Sequence, residues 1–211
     1  VDIVRAVNAP SQHAIELPGD FDLRLVKKDA LIECRRAPVG HPLRLESVFF
    51  VRSVTHEANA DGVDVLSVTG PDALDLLGRR IVAYPAASPQ AAKTGPADDV
   101  MKAVVRENLG QLAIAGRSLS ALGLMVDPDY GLGAVIEKRF AWRSVLSVLQ
   151  DLAAASAEAG EPLDFALEPV ARADGTLGFR FLVRSEVAAG ARAVAIFSRE
   201  RGNLEDARLV T

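Results

Sequence analysis

The chain has 211 residues, 49% hydrophobic and 25% charged, a globular composition with enough material for a sizeable core, which excludes wholesale disorder, collagen and coiled coil. With 24 Lys and Arg against 28 Asp and Glu the net charge is −4, which argues against a nucleic-acid-binding surface over much of the molecule. No stretch approaches the roughly 18 apolar residues of a membrane helix, the start VDIVRAVNAP lacks a basic and then apolar leader, and the single cysteine, Cys34, can build neither an intrachain disulfide nor a cysteine zinc site, so a soluble protein without an export signal is expected.

In chain order, residues 1–70 read mostly as strands. Residues 21–26 and 31–36, separated by Lys27-Lys28-Asp29-Ala30, suit a hairpin with a charged turn. Pro38, Gly40 and Pro42 then break regular structure, because a proline fixes its own φ and biases the residue before it toward extended geometry. A second hairpin joins the Val- and Phe-rich residues 48–55 to the alternating residues 63–69 through Asn59-Ala60-Asp61-Gly62, which ends in the Asp-Gly step of tight turns.

Thr69-Gly70-Pro71-Asp72 and Thr94-Gly95-Pro96-Ala97-Asp98 share a helix-start signature. Proline at the first helical position sacrifices no hydrogen bond, and Asp in the first turn complements the helix dipole. The second signature opens an amphipathic helix over 96–109, with Ala97, Val100, Met101, Val104 and Val105 on its apolar face and Asn108-Leu109-Gly110 at its end. Residues 124–126 and 134–138 flank a turn. A second amphipathic helix is expected over about 142–158, where Trp142, Val145, Leu146, Leu149 and Leu152 keep the i, i+3, i+4 rhythm. Leu163, Phe165 and Leu167, then Leu177, Phe179, Phe181 and Val183, alternate around Arg172-Ala173-Asp174-Gly175-Thr176 as a third hairpin, and 193–197 and 204–210 read as final strands.

Strands, a helical middle and strands again predict an α+β fold. The expected layout is a β-rich barrel-like domain over 1–84, a Pro- and Ala-rich linker over 85–93, and a mixed α/β domain over 94–211 carrying the two amphipathic helices. The last strands either complete a barrel with the first domain or stay apart from it.

No constellation specifies catalysis. His13, His41 and His56 lack the spacing that puts two imidazoles on one helical face, and His56 reads as a surface residue at a strand end. Gly116-Arg117-Ser118-Leu119-Ser120 lacks the final glycine of a hydrolase elbow and reads as a loop. Asp127-Pro128-Asp129-Tyr130-Gly131-Leu132-Gly133 matches neither an EF-hand nor a phosphate-binding loop and reads as a turn. Arg35-Arg36, Arg79-Arg80 and Arg199-Glu200-Arg201 read as solvated or protein-contacting faces. With only eight Phe, two Tyr and one Trp, and that tryptophan, Trp142, assigned to a helix's apolar face, an aromatic sugar platform has little support.

The run FFVRSVTHEANADGVDVLSVTGPDALDLLGRRIVAYP, then KTGPADDVMKAVVRENLG, RFAWRSVLSVLQDLA, DGTLGFRFLV and FSRERGNLEDARLV, resembles a family of tail proteins from long-tailed phages with non-contractile tails. The resemblance extends over about residues 21–209, and its strongest piece is 94–110. It implies a baseplate hub or tail-tip ring subunit, in which β-barrel domains continue the tail tube and a mixed α/β domain decorates it. It implies a structural virion component, assembled in the host cytoplasm, with no enzymatic activity, no cofactor, no metal and no catalytic residue. The implied partners are further copies in a ring, a trimer first and a hexamer as the alternative, together with neighbouring tail proteins and DNA in transit through the lumen. A receptor- or carbohydrate-binding module of the tail is the alternative, followed by a tail-associated cell-wall hydrolase.

Overall fold

Val48, Phe49, Phe50 and Val51 are all buried, although a strand turns successive side chains to opposite faces. In the computed structural model, which describes residues 1–37, 40–58, 61–84, 88 and 90–185, the first three end a strand, β4 (Arg44–Phe50), and Val51 follows it, between two apolar clusters. Phe49 and Val51 join Val26 and Val68 in the smaller one, while Val48 and Phe50 enter the larger one beside the helices.

The four-stranded sheet runs β1 (Asp2–Val4), β2 (Gln12–Pro18), β6 (Asp64–Pro71) and β5 (Ser53–Ala58), antiparallel throughout. β5 and β6 are the hairpin expected around the Asp-Gly step, in register from Ser53 opposite Thr69 to Ala58 opposite Asp64. Asn59 and Ala60 of its turn lie outside the described residues. The expected strand over 48–55 is divided, because the Arg52 amide bonds the Thr69 carbonyl at 2.9 Å and redirects the chain from β4 to a different sheet.

The hairpin expected between 21–26 and 31–36 does not form. Asp22 accepts the Arg24 amide at 2.9 Å and caps a 3-10 turn at Leu23–Leu25, so β3 (Leu31–Arg36) pairs antiparallel with β4 instead. β8 (Leu124–Val126) and β9 (Val135–Phe140) flank the expected turn but diverge: β8 runs parallel to β11 (Leu177–Ser185), and β9 is antiparallel to β7 (Ala91–Pro96). β10 (Leu163–Ala171) and β11 form the third expected hairpin, from Leu163 opposite Ser185 to Ala171 opposite Leu177.

The two Thr-Gly-Pro signatures each end a strand and lead into a helix: β6 into the one-turn α1 (Asp75–Gly78), and β7 into α2 (Ala97–Asn108). Their glycines are required for different reasons. A Cβ on Gly70 would lie 1.8 Å from the Phe50 carbonyl oxygen, where β4 crosses β6. Gly95 has room but sits at φ +149°, which glycine adopts and other residues rarely do.

α3 (Val145–Glu158) starts three residues later than the periodicity implies. Ser144 caps it by accepting the Ser147 amide at 3.1 Å, while the Arg143 carbonyl accepts from the Val82 amide and the Val145 amide donates to the Arg80 carbonyl. Those bonds hold residues 143–144 beside 80–82. Trp142 therefore lies outside the helix with φ +58°, and its side chain is exposed, not on the apolar face.

α1, α2 and α3 pack with β10 and β11 around Met101, Leu149, Leu152 and Phe181. This cluster also takes Val48, Leu77 and Val82, so it draws on both sides of the expected boundary, and β7 already occupies 91–93 of the expected linker. The fold is α+β, but its described strands make open sheets and no closed barrel. The strands expected over 193–197 and 204–210 lie outside the described residues.

Candidate functional site

Three constructions stand out. The first fastens the 127–133 loop to α2. Asp98 and Lys102, one helical turn apart, are fully buried and paired at 2.5 Å. Asp98 also accepts the Tyr130 amide at 3.0 Å, and Lys102 donates to the Pro128 carbonyl at 2.6 Å with its ammonium 4.3 Å from the Tyr130 ring centre. Arg106 chelates Asp129 at 2.7 and 3.0 Å, and Asp99 accepts the Gly131 amide. Every carboxylate of the pair considered for acid–base work is thus engaged: Asp129 by Arg106, and Asp127 by Arg180 at 3.7 Å. The segment is a loop, as its sequence suggests, and its charges hold it on the helix.

The second is a strap over residues 5–11. Asn8, in the left-handed region at φ +55°, donates to the Leu163 carbonyl at 3.0 Å and accepts the Phe165 amide at 2.8 Å. Its carboxamide thereby occupies the open edge of β10 as a neighbouring strand would, and Gln150 holds its carbonyl at 2.9 Å. Asn8→Ala leaves both β10 groups without partners, so a loss of about 1–3 kcal/mol is expected. Amide exchange at Phe165 should accelerate with it, and an unchanged exchange rate would remove the strap from the account.

Beneath the strap is a cavity of about 400 Å³ lined by Ser11, His13, Ser47, Asp72 and Phe165 among others. His13 is 3% exposed, stacks on Phe49 with ring centres 5.2 Å apart, and has no hydrogen-bond partner on either ring nitrogen. Burial pushes its pKa below the ordinary value, opposed by the Asp72 carboxylate and reinforced by Arg5. An unfolded histidine takes its proton near pH 6.5, whereas the folded site resists it. Stability is therefore complete above that pH and falls as the pH drops below it, until the folded state also protonates. Urea titrations at roughly pH 7.5 and 5.5 should show this loss, and His13→Phe, which keeps the stack, should shrink it.

The third is a surface. Trp142 is 79% exposed, and Tyr84 meets it edge-on with centres 6.2 Å apart and planes at 83°. Ile81, half exposed, forms a bridge with Ser144 beside them, and Arg117 donates to its carbonyl. Ile114 is exposed next to Arg117.

The other sequence candidates do not converge on these places. His41 and His56 are exposed, His56 on β5, and among the described residues no group of three potential ligands could hold a metal. Ser118 donates to the Gly110 carbonyl at 3.2 Å from a turn with no strand before it. Two features escaped the sequence reading. His13 shares the inward face of β2 with Ile15 and Leu17, an alternation that marks a buried histidine. Ser144, directly before an apolar run, is the capping signal that would have left Trp142 outside the helix.

The profile of the Siphovirus ReqiPepy6 Gp37-like protein family matches residues 43–208. Among solved structures, the E. coli c3393 protein is similar at a TM-score of 0.43 and 11% identity, over 85% of this chain and 45% of that one. It is described as a component of the type VI secretion system with structural similarity to the T4 bacteriophage tail proteins gp27 and gp5. The present chain thus spans less than half the length of that protein. No curated protein sequence matches.

Proposed function

The chain belongs to the Siphovirus ReqiPepy6 Gp37-like protein family, and from that premise we propose that it is a structural component of a bacteriophage tail, a baseplate hub or tail-tip ring subunit joining the tail tube to the distal machinery. The observation that carries this reading is the family match over 43–208, which takes in α1, α2, α3 and the β10–β11 hairpin. The residues considered for catalysis support a non-enzymatic role, because Ser118, Asp127 and Asp129 are committed to holding loops. The open sheets agree with it, since a ring subunit works through surfaces shared with copies of itself and with neighbouring tail proteins.

The division into a β-rich part over 1–84 and a mixed part over 94–211 belongs to this reading, with β4 and Val82 as the packed joint between them. So do the ring of three copies, and barrel closure by strands over 193–210. The exposed Trp142 favours a second reading, a carbohydrate-binding module, but its perpendicular contact with Tyr84 offers no shared flat platform for a sugar ring. Gold-labelled antibody on intact particles, imaged by electron microscopy, tests the reading. Label at the distal end of tails is expected; protein found only free in the lysate would sink it.

A further inference from the structure

We infer that copies of this chain associate head to tail, the Trp142 surface of one copy seating in an acidic groove at the β2–β6 end of the next. This rests on the ring reading above for its biological setting and on two surfaces for its argument.

The first surface pairs exposed apolar groups with cations. Exposed Trp142 and Ile81 lie near the half-buried Arg80 and Arg117, which form no ion pair among the described residues, although Arg117 donates to the Ile81 carbonyl and to Asn108. An exposed tryptophan held in the left-handed region is an unfavourable conformation for a bulky residue, and its own fold gains little burial from it. Aromatic and arginine side chains together are the composition of interface anchors.

The second surface is its complement. An open groove of about 700 Å³ is lined by Glu16, Leu17, Pro18, Asp20, Val63 and Asp64. Glu16, Asp20 and Asp64 are exposed and form no ion pair among the described residues, and Val63 and Leu17 supply apolar walls. An apolar knob with unpaired cations therefore has, on the same chain, an apolar groove with unpaired carboxylates.

The groove shares no residue with the Trp142 surface, so the two are separate patches of one chain. The groove sits where β6 begins, and β6 spans eight residues, roughly 24 Å, before α1 and the 80–84 segment follow. Contact between the knob of one copy and the groove of the next joins two different patches and makes a heterologous interface, which repeats from copy to copy and closes into a ring when the rotation allows. A two-fold dimer, which uses one patch twice, does not use this complementarity.

The test uses two variants of the whole chain. Trp142→Gly removes the knob and relieves its backbone, and Glu16→Lys with Asp20→Lys reverses the groove at exposed positions. By sedimentation velocity, the wild-type chain should form oligomers that grow with concentration and weaken with salt. Each variant alone should self-associate at least about 30-fold more weakly, the loss expected of an anchor residue. Mixed together, they should form 1:1 dimers that grow no further, because one intact knob meets one intact groove and the other ends are blocked. A wild-type chain that stays monomeric, variants that associate like wild type, or a mixture that stays monomeric would each overturn the inference. So would binding of an oligonucleotide or cell-wall polysaccharide that Trp142→Gly abolishes without any self-association. Distal tail labelling without complementation removes the interface and leaves the tail role; complementation without tail labelling does the reverse.

Discussion

Asp98→Ala is expected to lower the unfolding free energy by about 3–5 kcal/mol, because it strands a fully buried lysine. Lys102 would keep only the Pro128 carbonyl and the face of Tyr130, and the Tyr130 amide would lose its acceptor at the same time. The pair itself contributes far less than its removal costs, since two desolvated charges spend most of their attraction on leaving water. Replacing both partners by apolar groups, Asp98→Leu with Lys102→Met, should therefore recover much of the loss. Denaturant titrations of the single and double variants decide this. A double variant as unstable as the worse single would mean that the loop bonds, and not the stranded charge, dominate.

Gly70→Ala is expected to be comparably severe, at about 3 kcal/mol or more, the upper end for overpacking. The added carbon falls 1.8 Å from the Phe50 carbonyl oxygen and 2.8 Å from its carbon, both backbone atoms of β4 that no rotamer change can move aside. The strand crossing must open, withdrawing Phe49 and Phe50 from two clusters at once. Gly116→Ala is the control: nothing lies within 4 Å of its added carbon, and the change should stay within about 0.5 kcal/mol. Equal effects at the two positions would show that space at Gly70 is not the constraint.

Local signals were legible in proportion to how locally they are decided. The helix at 97–108 and the β10–β11 hairpin rest on periodicity, caps and turn residues close in sequence, and both formed as expected. Pairing over longer distances was not legible, because alternation says that a strand has a buried face and not which strand lies beside it. β3 met β4, and β8 met β11, for that reason. Trp142 fitted the helical rhythm by spacing alone; the bonds from Val82 and to Arg80 that hold its neighbours in place come from a segment about 60 residues away, beyond any local window. The same limit hid the candidate surfaces. Glu16 and Asp64, like Ile81 and Trp142, lie far apart in sequence, and each set acquires meaning only when the sheet and the helix cap bring it together.

The two-faced burial of β4 has a kinetic meaning. A strand that gives alternate side chains to different clusters cannot peel from one while remaining in the other, so the clusters lack separate low-energy openings through their shared strand. Partial unfolding is where proteases and aggregation gain their foothold, and a fold without such intermediates survives for as long as its single large barrier holds. Durability of that kind suits a part that is built once, waits, and is never repaired.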